Sequence, residues 1–443
     1  MNRREFIEWC IAGAVATVLP VDAATHTDIS SPVRVNEQIS RQSFPRKFAY
    51  AISGNLSNKL GVRSNQIGIA KFDAVILNIY ARGDIRYSGR TWQDVVAKIR
   101  ALNPDILIGA YVIIEETKND SNKETNVDID KYTKVRRENW WLYTGAGAKV
   151  QSYGANCAIN GSRYSTPDTS GMRWPLWLAK RDFDKFFNPA LISGKGFDIW
   201  FVDNIRDKSL YLGDWDNDGL IDWSNGARAL SAYRGMNTDY FAAMRALAPH
   251  MILMGNAPCD LSMYPKALDA SFNEAMFGLT WSLGGYPPWG QGHDGNWTKV
   301  MNQYNAQFHN VNTDLVVFQA QGVSTDYQLF RYALCSCLLK NGYFNYSDKS
   351  VGYIVPPWFD EYDHNLGLPI SVPQTVAWSN GVWRRDFEYG ISLVNPTTSA
   401  QTVTIEAGFR RISGSQDAAT NSGVSARGPL TVPSRDGIIL KKD

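Results

Sequence analysis

Two acidic residues stand where apolar runs stop abruptly. Asp203 and Asn204 close the stretch Gly196-Phe197-Asp198-Ile199-Trp200-Phe201-Val202-Asp203-Asn204, and Glu274 follows Ala270-Ser271-Phe272-Asn273 and precedes Ala275-Met276-Phe277-Gly278. A carboxylate at the end of a buried strand contributes nothing to apolar packing. It suits proton transfer, nucleophilic attack or hydrogen bonding to a substrate. The competing explanation for Asp203 and Asn204 is a helix cap, since both types accept a backbone N–H at a helix start; for Glu274 it is a surface glutamate opening a helix. The segment after Glu274 carries Trp281, Tyr286 and Trp289. A glutamate enclosed by aromatic surface loses hydration, which raises its pKa and equips it to donate a proton near neutral pH. Two carboxylates at different strand ends, walled by aromatics and amides, form the constellation that glycoside hydrolysis requires.

Other run ends supply polar support: Asn78 and Tyr80, Tyr111 and Glu115, Asn256, and Gln319 with Gln321. Amides and phenols pair with sugar hydroxyls, and indoles stack on the apolar faces of sugar rings. Tyr80, Tyr111, Glu115, Asn204, Asn256, Trp281, Trp289, Gln319 and Gln321 are therefore the candidate substrate contacts, with Glu115 also a rival for a catalytic role. A separate acidic motif, Asp214-Trp215-Asp216-Asn217-Asp218-Gly219-Leu220-Ile221-Asp222, matches the first nine positions of a calcium loop, with Asp214, Asp216, Asp218 and Asp222 as ligands. Its twelfth position is Asn225 rather than a bidentate glutamate, so a solvated acidic turn and a direct substrate contact stand as alternatives to a structural calcium. The chemistry of two carboxylates requires no cofactor, and the five histidines are scattered without H-E-x-x-H or C-x-x-C spacing, which gives zinc no support.

The elements that would position these residues recur along the chain. Apolar runs at 48–52, 74–80, 106–114, 199–202, 251–254, 270–272, 315–318 and 343–346 read as strands, and helical spacing fills several of the intervals. One such interval is Thr91 to Leu102, where Thr91 can cap and Val95, Ile99 and Leu102 share a face. Near-continuous apolar strands alternating with helices indicate a parallel sheet covered on both faces. Eight units predict a closed (β/α)8 TIM barrel over 46–364. The first turn reads Ser53-Gly54-Asn55-Leu56, which lacks the glycine-rich phosphate fingerprint of an open dinucleotide-binding sheet. In a barrel the C-terminal strand ends carry the chemistry, and Asp203 and Glu274 occupy such ends. Beyond Pro356-Pro357 the helical spacing disappears. Alternating runs at 390–396, 402–405 and 437–440 between Gly, Pro and Asn turns predict a small antiparallel β-sandwich over 365–443.

The first residues, Asn2-Arg3-Arg4-Glu5-Phe6-Ile7, lead into the apolar run Ile11 to Leu19 and the small-residue exit Asp22-Ala23-Ala24. That order reads as a twin-arginine-like signal over 1–24, followed by a flexible leader over 25–45, and places the mature chain in the periplasm or outside the cell. An uncleaved amphipathic helix or membrane anchor is the alternative. No later run reaches the length of a membrane span. A net charge of +2 over 443 residues, with no long basic run, lacks the electrostatic footprint of a nucleic-acid binder. The aromatic content of 12% fits a carbohydrate partner better, an oligosaccharide or polysaccharide.

The segment 196–204 resembles the fourth-strand signature of barrel glycosidases related to the α-galactosidase and endo-α-1,4-polygalactosaminidase groups. The acidic motif at 214–219, Met254-Gly255-Asn256, Asn273-Glu274-Ala275-Met276-Phe277-Gly278, Trp383-Arg384-Arg385-Asp386-Phe387-Glu388-Tyr389-Gly390 and Val394-Asn395-Pro396 resemble more closely the bacterial barrels grouped as hypothetical glycosyl hydrolase family 15. The resemblance covers about residues 47 to 440. It implies a glycoside hydrolase of retaining type, with Asp203 as nucleophile and Glu274 as acid/base. Two other functions share these features: a non-catalytic carbohydrate-binding or polysaccharide-matrix protein on the same barrel, and a transglycosylase that uses the same carboxylates.

Overall fold

The eight apolar runs pair side by side in chain order, all parallel. They are β1 (Phe48–Ala51), β2 (Ala74–Leu77), β3 (Leu107–Ile113), β4 (Ile199–Asp203), β5 (Ile252–Asn256), β6 (Ala270–Phe277), β7 (Val316–Gly322) and β8 (Tyr343–Asp348). The computed structural model describes residues 32–53, 60–78, 91–119, 128–257, 261–285, 296–353 and 355–443. The sheet closes on itself: Lys47 and Phe344 form a parallel bridge, the Phe344 N–H donates to the Arg46 carbonyl at 2.8 Å, and Asn345 Nδ2 donates to the Phe48 carbonyl at 2.8 Å.

Helices α1 (Pro32–Arg41), α2 (Arg63–Ala70), α3 (Trp92–Leu102), α4 (Ile129–Glu138), α5 (Trp174–Asp182), α6 (Ala227–Leu247), α7 (Trp297–Asn310) and α8 (Tyr327–Leu338) complete the α/β pattern. In α3 the Asp94 N–H donates to the Thr91 hydroxyl at 3.2 Å, the expected cap. Val95 and Ile99 are buried, whereas Leu102 in the last turn stays exposed because the chain leaves the helix at Asn103. The segment expected as a flexible leader contains α1. Its Ile39 is buried in the same apolar cluster as Phe48 and Tyr343 inside the barrel, which ties the helix down.

Alternation along the strands divides the core in two. Phe48, Tyr50, Ile76, Leu107, Ile199, Phe201, Ile252, Met254, Phe272 and Val317 fill the barrel interior, while Val75, Ile108, Trp200, Val202, Leu253 and Phe318 face the helices. Side chains two apart share a face of a strand. Carrying the inward set one step further toward the C-terminal ends therefore reaches Tyr111, Asp203, Asn256 and Glu274. A β-carbon on Gly109 would stand 2.4 Å from Ile76 Cδ1 and 2.8 Å from Ile199 Cβ, so the layer beneath Tyr111 has room only for glycine.

From Trp383 on, every regular element is a strand. β9 (Trp383–Phe387), β10 (Gly390–Asn395), β14 (Asp436–Lys442) and β12 (Phe409–Arg411) form a four-stranded antiparallel sheet in that order, and β11 (Gln401–Ile405) pairs with β13 (Gly428–Val432). Val382, Leu393, Ile405 and Leu430 lie between them. The sandwich is fixed to the barrel through α8: Arg331 Nε and Nη2 donate to the two carboxylate oxygens of Asp436 at 3.0 and 2.8 Å, both residues buried. Among the described residues no helix is long and apolar enough to cross a membrane.

Candidate active site

Asp203 ends β4 and Glu274 lies within β6, with β5 between them. The last residue of β5, Asn256, joins the two. Its Nδ2 donates to Asp203 Oδ1 at 2.8 Å and to Glu274 Oε2 at 2.6 Å. Both neighbours are acceptors, so the amide nitrogen must face them. Asn256 Oδ1 is buried with no partner among the described residues.

The backbone at each carboxylate is unusual. Asn204, directly after Asp203, has φ of 61°, and its N–H donates to Asp203 Oδ1 at 2.9 Å. Ala275, directly after Glu274, has φ of 46°. An alanine in the left-handed region is strained and persists only where its surroundings hold it. Here Gln319 Oε1 on β7 accepts the Ala275 N–H at 2.9 Å, and the β6–β7 register shifts between Asn273 and Phe277. β6 therefore runs past the apolar stretch 270–272 and bulges at Glu274, a device that re-aims a side chain beside a site.

Donors surround both carboxylates. Tyr111 on β3 donates its hydroxyl to Asp203 Oδ2 at 2.5 Å. Tyr353, in the segment after β8, donates to Glu274 Oε1 and accepts from Gln321 Nε2. Burial raises the pKa of Asp203, opposed by the donors Tyr111, Asn256 and the Asn204 N–H and by the charge of Arg206. Burial also raises the pKa of Glu274, and the negative charge of Asp203 raises it further, with Tyr353 and Asn256 opposing. Asp203 thus has three donors that favour its ionised form against two on Glu274, and the charge of Asp203 opposes the ionisation of Glu274.

The remaining candidates divide by place. Tyr111, Asn204 and Asn256 join the two carboxylates directly. Gln319 is fully buried and uses its amide on Ala275, Asn345 and Ser347, while Gln321 reaches Glu274 only through Tyr353. Glu115 is 2% exposed and ion-paired to Arg206 at 2.7 Å. Trp281 stands exposed in the turn after β6. Tyr80 and Trp289 lie outside the described residues. Tyr50, Arg206 and Tyr353 escaped the sequence analysis. Tyr50 is inward-facing on β1 and packs its ring 4.3 Å from Phe272 and 4.9 Å from Tyr353; continuing the period-2 pattern of β1 was the signal that could have found it.

The acidic motif follows β4. Carboxylate oxygens of Asp214, Asp216 and Asp218 lie within 4.8 Å of one another. Arg228 Nη1 donates to Asp216 and to Asp218, each at 2.7 Å, so a guanidinium bridges two of the three carboxylates. Asp222 is not in that group; its Oδ2 accepts the Trp215 N–H at 2.9 Å.

The model of hypothetical glycosyl hydrolase family 15 matches residues 100–391, which include Asp203, Asn256 and Glu274. The chain belongs to this family. It is a glycoside hydrolase, and a carbohydrate is its substrate. Comparison with curated proteins gives no match. Among solved structures, the glycoside hydrolase domain of PelA from Pseudomonas aeruginosa is similar at 14% identity and a TM-score of 0.40, over 70% of this chain and 96% of that one. An Anoxybacillus alpha-amylase shares 9% identity at a TM-score of 0.46, over 90% and 98%. The GH36 alpha-galactosidase AgaA from Geobacillus stearothermophilus shares 8% at 0.43, over 92% and 57%.

Proposed function

We propose that this glycosidase is exported and cleaves O-glycosidic bonds of a polysaccharide with retention of configuration, Asp203 acting as nucleophile and Glu274 as acid/base. The observation that carries the reading is the shared amide of Asn256. One nitrogen lies 2.8 Å from Asp203 Oδ1 and 2.6 Å from Glu274 Oε2, so these oxygens can be no farther apart than the sum of the two distances. That limit matches the separation of about 5 to 5.5 Å found in retaining enzymes and falls short of the roughly 6.5 to 9.5 Å that leaves room for a water in inverting ones. Asp203 attacks the anomeric carbon as the bond to the leaving oxygen breaks, and Glu274 gives that oxygen its proton. Water then adds to the anomeric carbon and gives one of its protons to Glu274 as the bond to Asp203 breaks. The unpartnered Asn256 Oδ1 supports the reading, since a sugar hydroxyl is a suitable donor for it.

A panel of polysaccharides should show newly released reducing ends for at least one polymer, and proton NMR of the fresh product should show the anomer of the starting linkage. The opposite anomer would move Asp203 from nucleophile to base. Transfer products without net hydrolysis would mark a transglycosylase, and no cleavage of any polymer would favour a binding protein.

Export rests on Arg3-Arg4 and the apolar run after them. Replacing both with lysine should leave the precursor in the cytoplasm; mature protein in the usual amount outside would defeat the twin-arginine reading. Calcium at Asp214, Asp216 and Asp218 would compete with Arg228 for the last two. Binding to the native state raises its melting temperature, so calcium should raise the midpoint, and more steeply in Arg228→Ala. An unchanged midpoint in both would make the motif an acidic turn.

A further inference from the structure

Behind Asp203 lies a third buried carboxylate that the reaction just described does not use. Glu115 follows β3, and its Oε1 accepts from Arg206 Nη1 at 2.7 Å. Arg206 Nη2 donates to Asn204 Oδ1 at 2.7 Å, and the Asn204 N–H is one of the donors on Asp203. From α6 the Tyr233 hydroxyl closes the group, 3.3 Å from Glu115 Oε2 and 3.0 Å from the Asn204 carbonyl. The chain of contact therefore runs Glu115, Arg206, Asn204, Asp203, with the left-handed residue in the middle.

We infer that Glu115 and Arg206 are a pair of positioning residues for the two carboxylates: Arg206 holds Asn204 against Asp203 and sets its guanidinium beside that site, while Glu115 pins the guanidinium from behind. The inference rests on Asp203 and Glu274 being the reacting pair. A guanidinium released from Glu115 would be drawn toward Asp203, whose charge already acts on it. A guanidinium this enclosed also needs a charged partner to be tolerated, and Glu115 is that partner. The charge of Arg206 favours the ionised form of both Asp203 and Glu274. Burial pushes Glu115 up to about 7 even with Arg206 opposing, so its charge depends on Arg206.

The other groups around this pair are Glu116, which opens the short strand Glu116–Lys118, Tyr211 from the segment after β4, Tyr111 on β3, Tyr233 on α6, Tyr264 before β6, whose hydroxyl donates to the Arg206 carbonyl at 3.1 Å, and Glu274 on β6. Burial raises Tyr111, Tyr211 and Tyr233 further above neutrality. Those three tyrosines stay neutral, and the carboxylates carry the titration.

The test is a carbon-13 NMR titration of the full chain labelled at its Asp and Glu carboxyls, with the Asp203 and Glu274 signals assigned from Asp203→Asn and Glu274→Gln. In Glu115→Gln the side chain that holds Arg206 Nη1 no longer accepts as a carboxylate and the guanidinium is released toward the two carboxyls, so both midpoints should fall, by roughly half a unit to one unit. In Arg206→Gln both should rise by a similar amount. Arg206→Lys, which keeps the charge, should titrate close to the unmodified protein. Displacements of the same sign in the two neutral variants, or none in either, would overturn the inference, because a purely structural role predicts no opposition of sign. The titration is read without substrate, so it decides the inference even if no glycan is cleaved; absence of cleavage counts against the proposed function alone.

Discussion

Asp203→Asn should fold as the unmodified protein does and lose about a thousandfold or more in turnover, as expected when the group that forms the covalent bond is removed. The amide is nearly the same size, and its oxygen can still accept from the Asn204 N–H and Asn256 Nδ2, which now meet Asp203 Oδ1 at 2.9 and 2.8 Å. Its nitrogen would face the Tyr111 hydroxyl, which can turn and accept. Stability should hold or rise. Burial disfavours the ionised Asp203, and a neutral isostere removes that desolvation along with its repulsion of Glu274. Such an exchange of stability for activity is common where a site is strained or charged. Thermal melts and turnover on a cleaved polymer check both halves. Full activity in this variant would remove Asp203 from the chemistry, and a collapsed fold would show its role to be structural.

The barrel was legible because each of its strands is buried on both faces and so appears as an apolar run. All eight runs became strands, even the short one at 270–272, and the sandwich announced itself by losing helical spacing after residue 365. Asp203 was legible for the same reason: a polar residue ending Ile199-Trp200-Phe201-Val202 contradicts its surroundings. Asn256 followed from its place at the end of β5, yet its function as a bridge depends on the spacing of β4, β5 and β6, which no single run encodes. Tyr353 and Arg206 were hidden by their settings. Both lie in segments without periodicity, and they reach Glu274 and Glu115 across 79 and 91 residues of sequence. The bulge at Ala275 was also invisible, since alanine carries no turn signal; the Gln319 amide on the neighbouring strand imposes it. Gln319 and Glu115 were read as candidate substrate contacts, and the structure places Gln319 mid-way along β7 and Glu115 two residues beyond β3, each bound to neighbouring side chains. Their committed partners show why residue type alone does not separate groups that face a substrate from groups that hold the ones that do.

Glu274→Gln should divide substrates by their leaving group. Where the departing oxygen needs a proton, turnover should fall by about a hundred- to ten-thousandfold, the usual contribution of a positioned general acid. Where it leaves readily as an anion, as from an activated aryl glycoside, formation of the glycosyl-enzyme should be largely spared. The pH dependence follows from the direction of the shift. Burial and the charge of Asp203 raise the pKa of Glu274, so the protonated, active form persists to higher pH than an ordinary glutamate allows. The basic limb of kcat/KM in the unmodified protein should therefore lie above the usual carboxylate range. The acidic limb reports protonation of Asp203. In Glu274→Gln the basic limb should vanish for the activated substrate while the acidic limb stays close to its original place, because Glu274 is already protonated and uncharged where Asp203 titrates. Stability should respond in the same sense. A carboxyl whose folded pKa is raised contributes most below its unfolded value and loses that contribution as pH climbs through the folded one, so the melting difference between the variant and the unmodified protein should widen in favour of glutamine as pH rises. A basic limb that survives the substitution, or a rate loss that is the same for every leaving group, would take the proton-donor role away from Glu274.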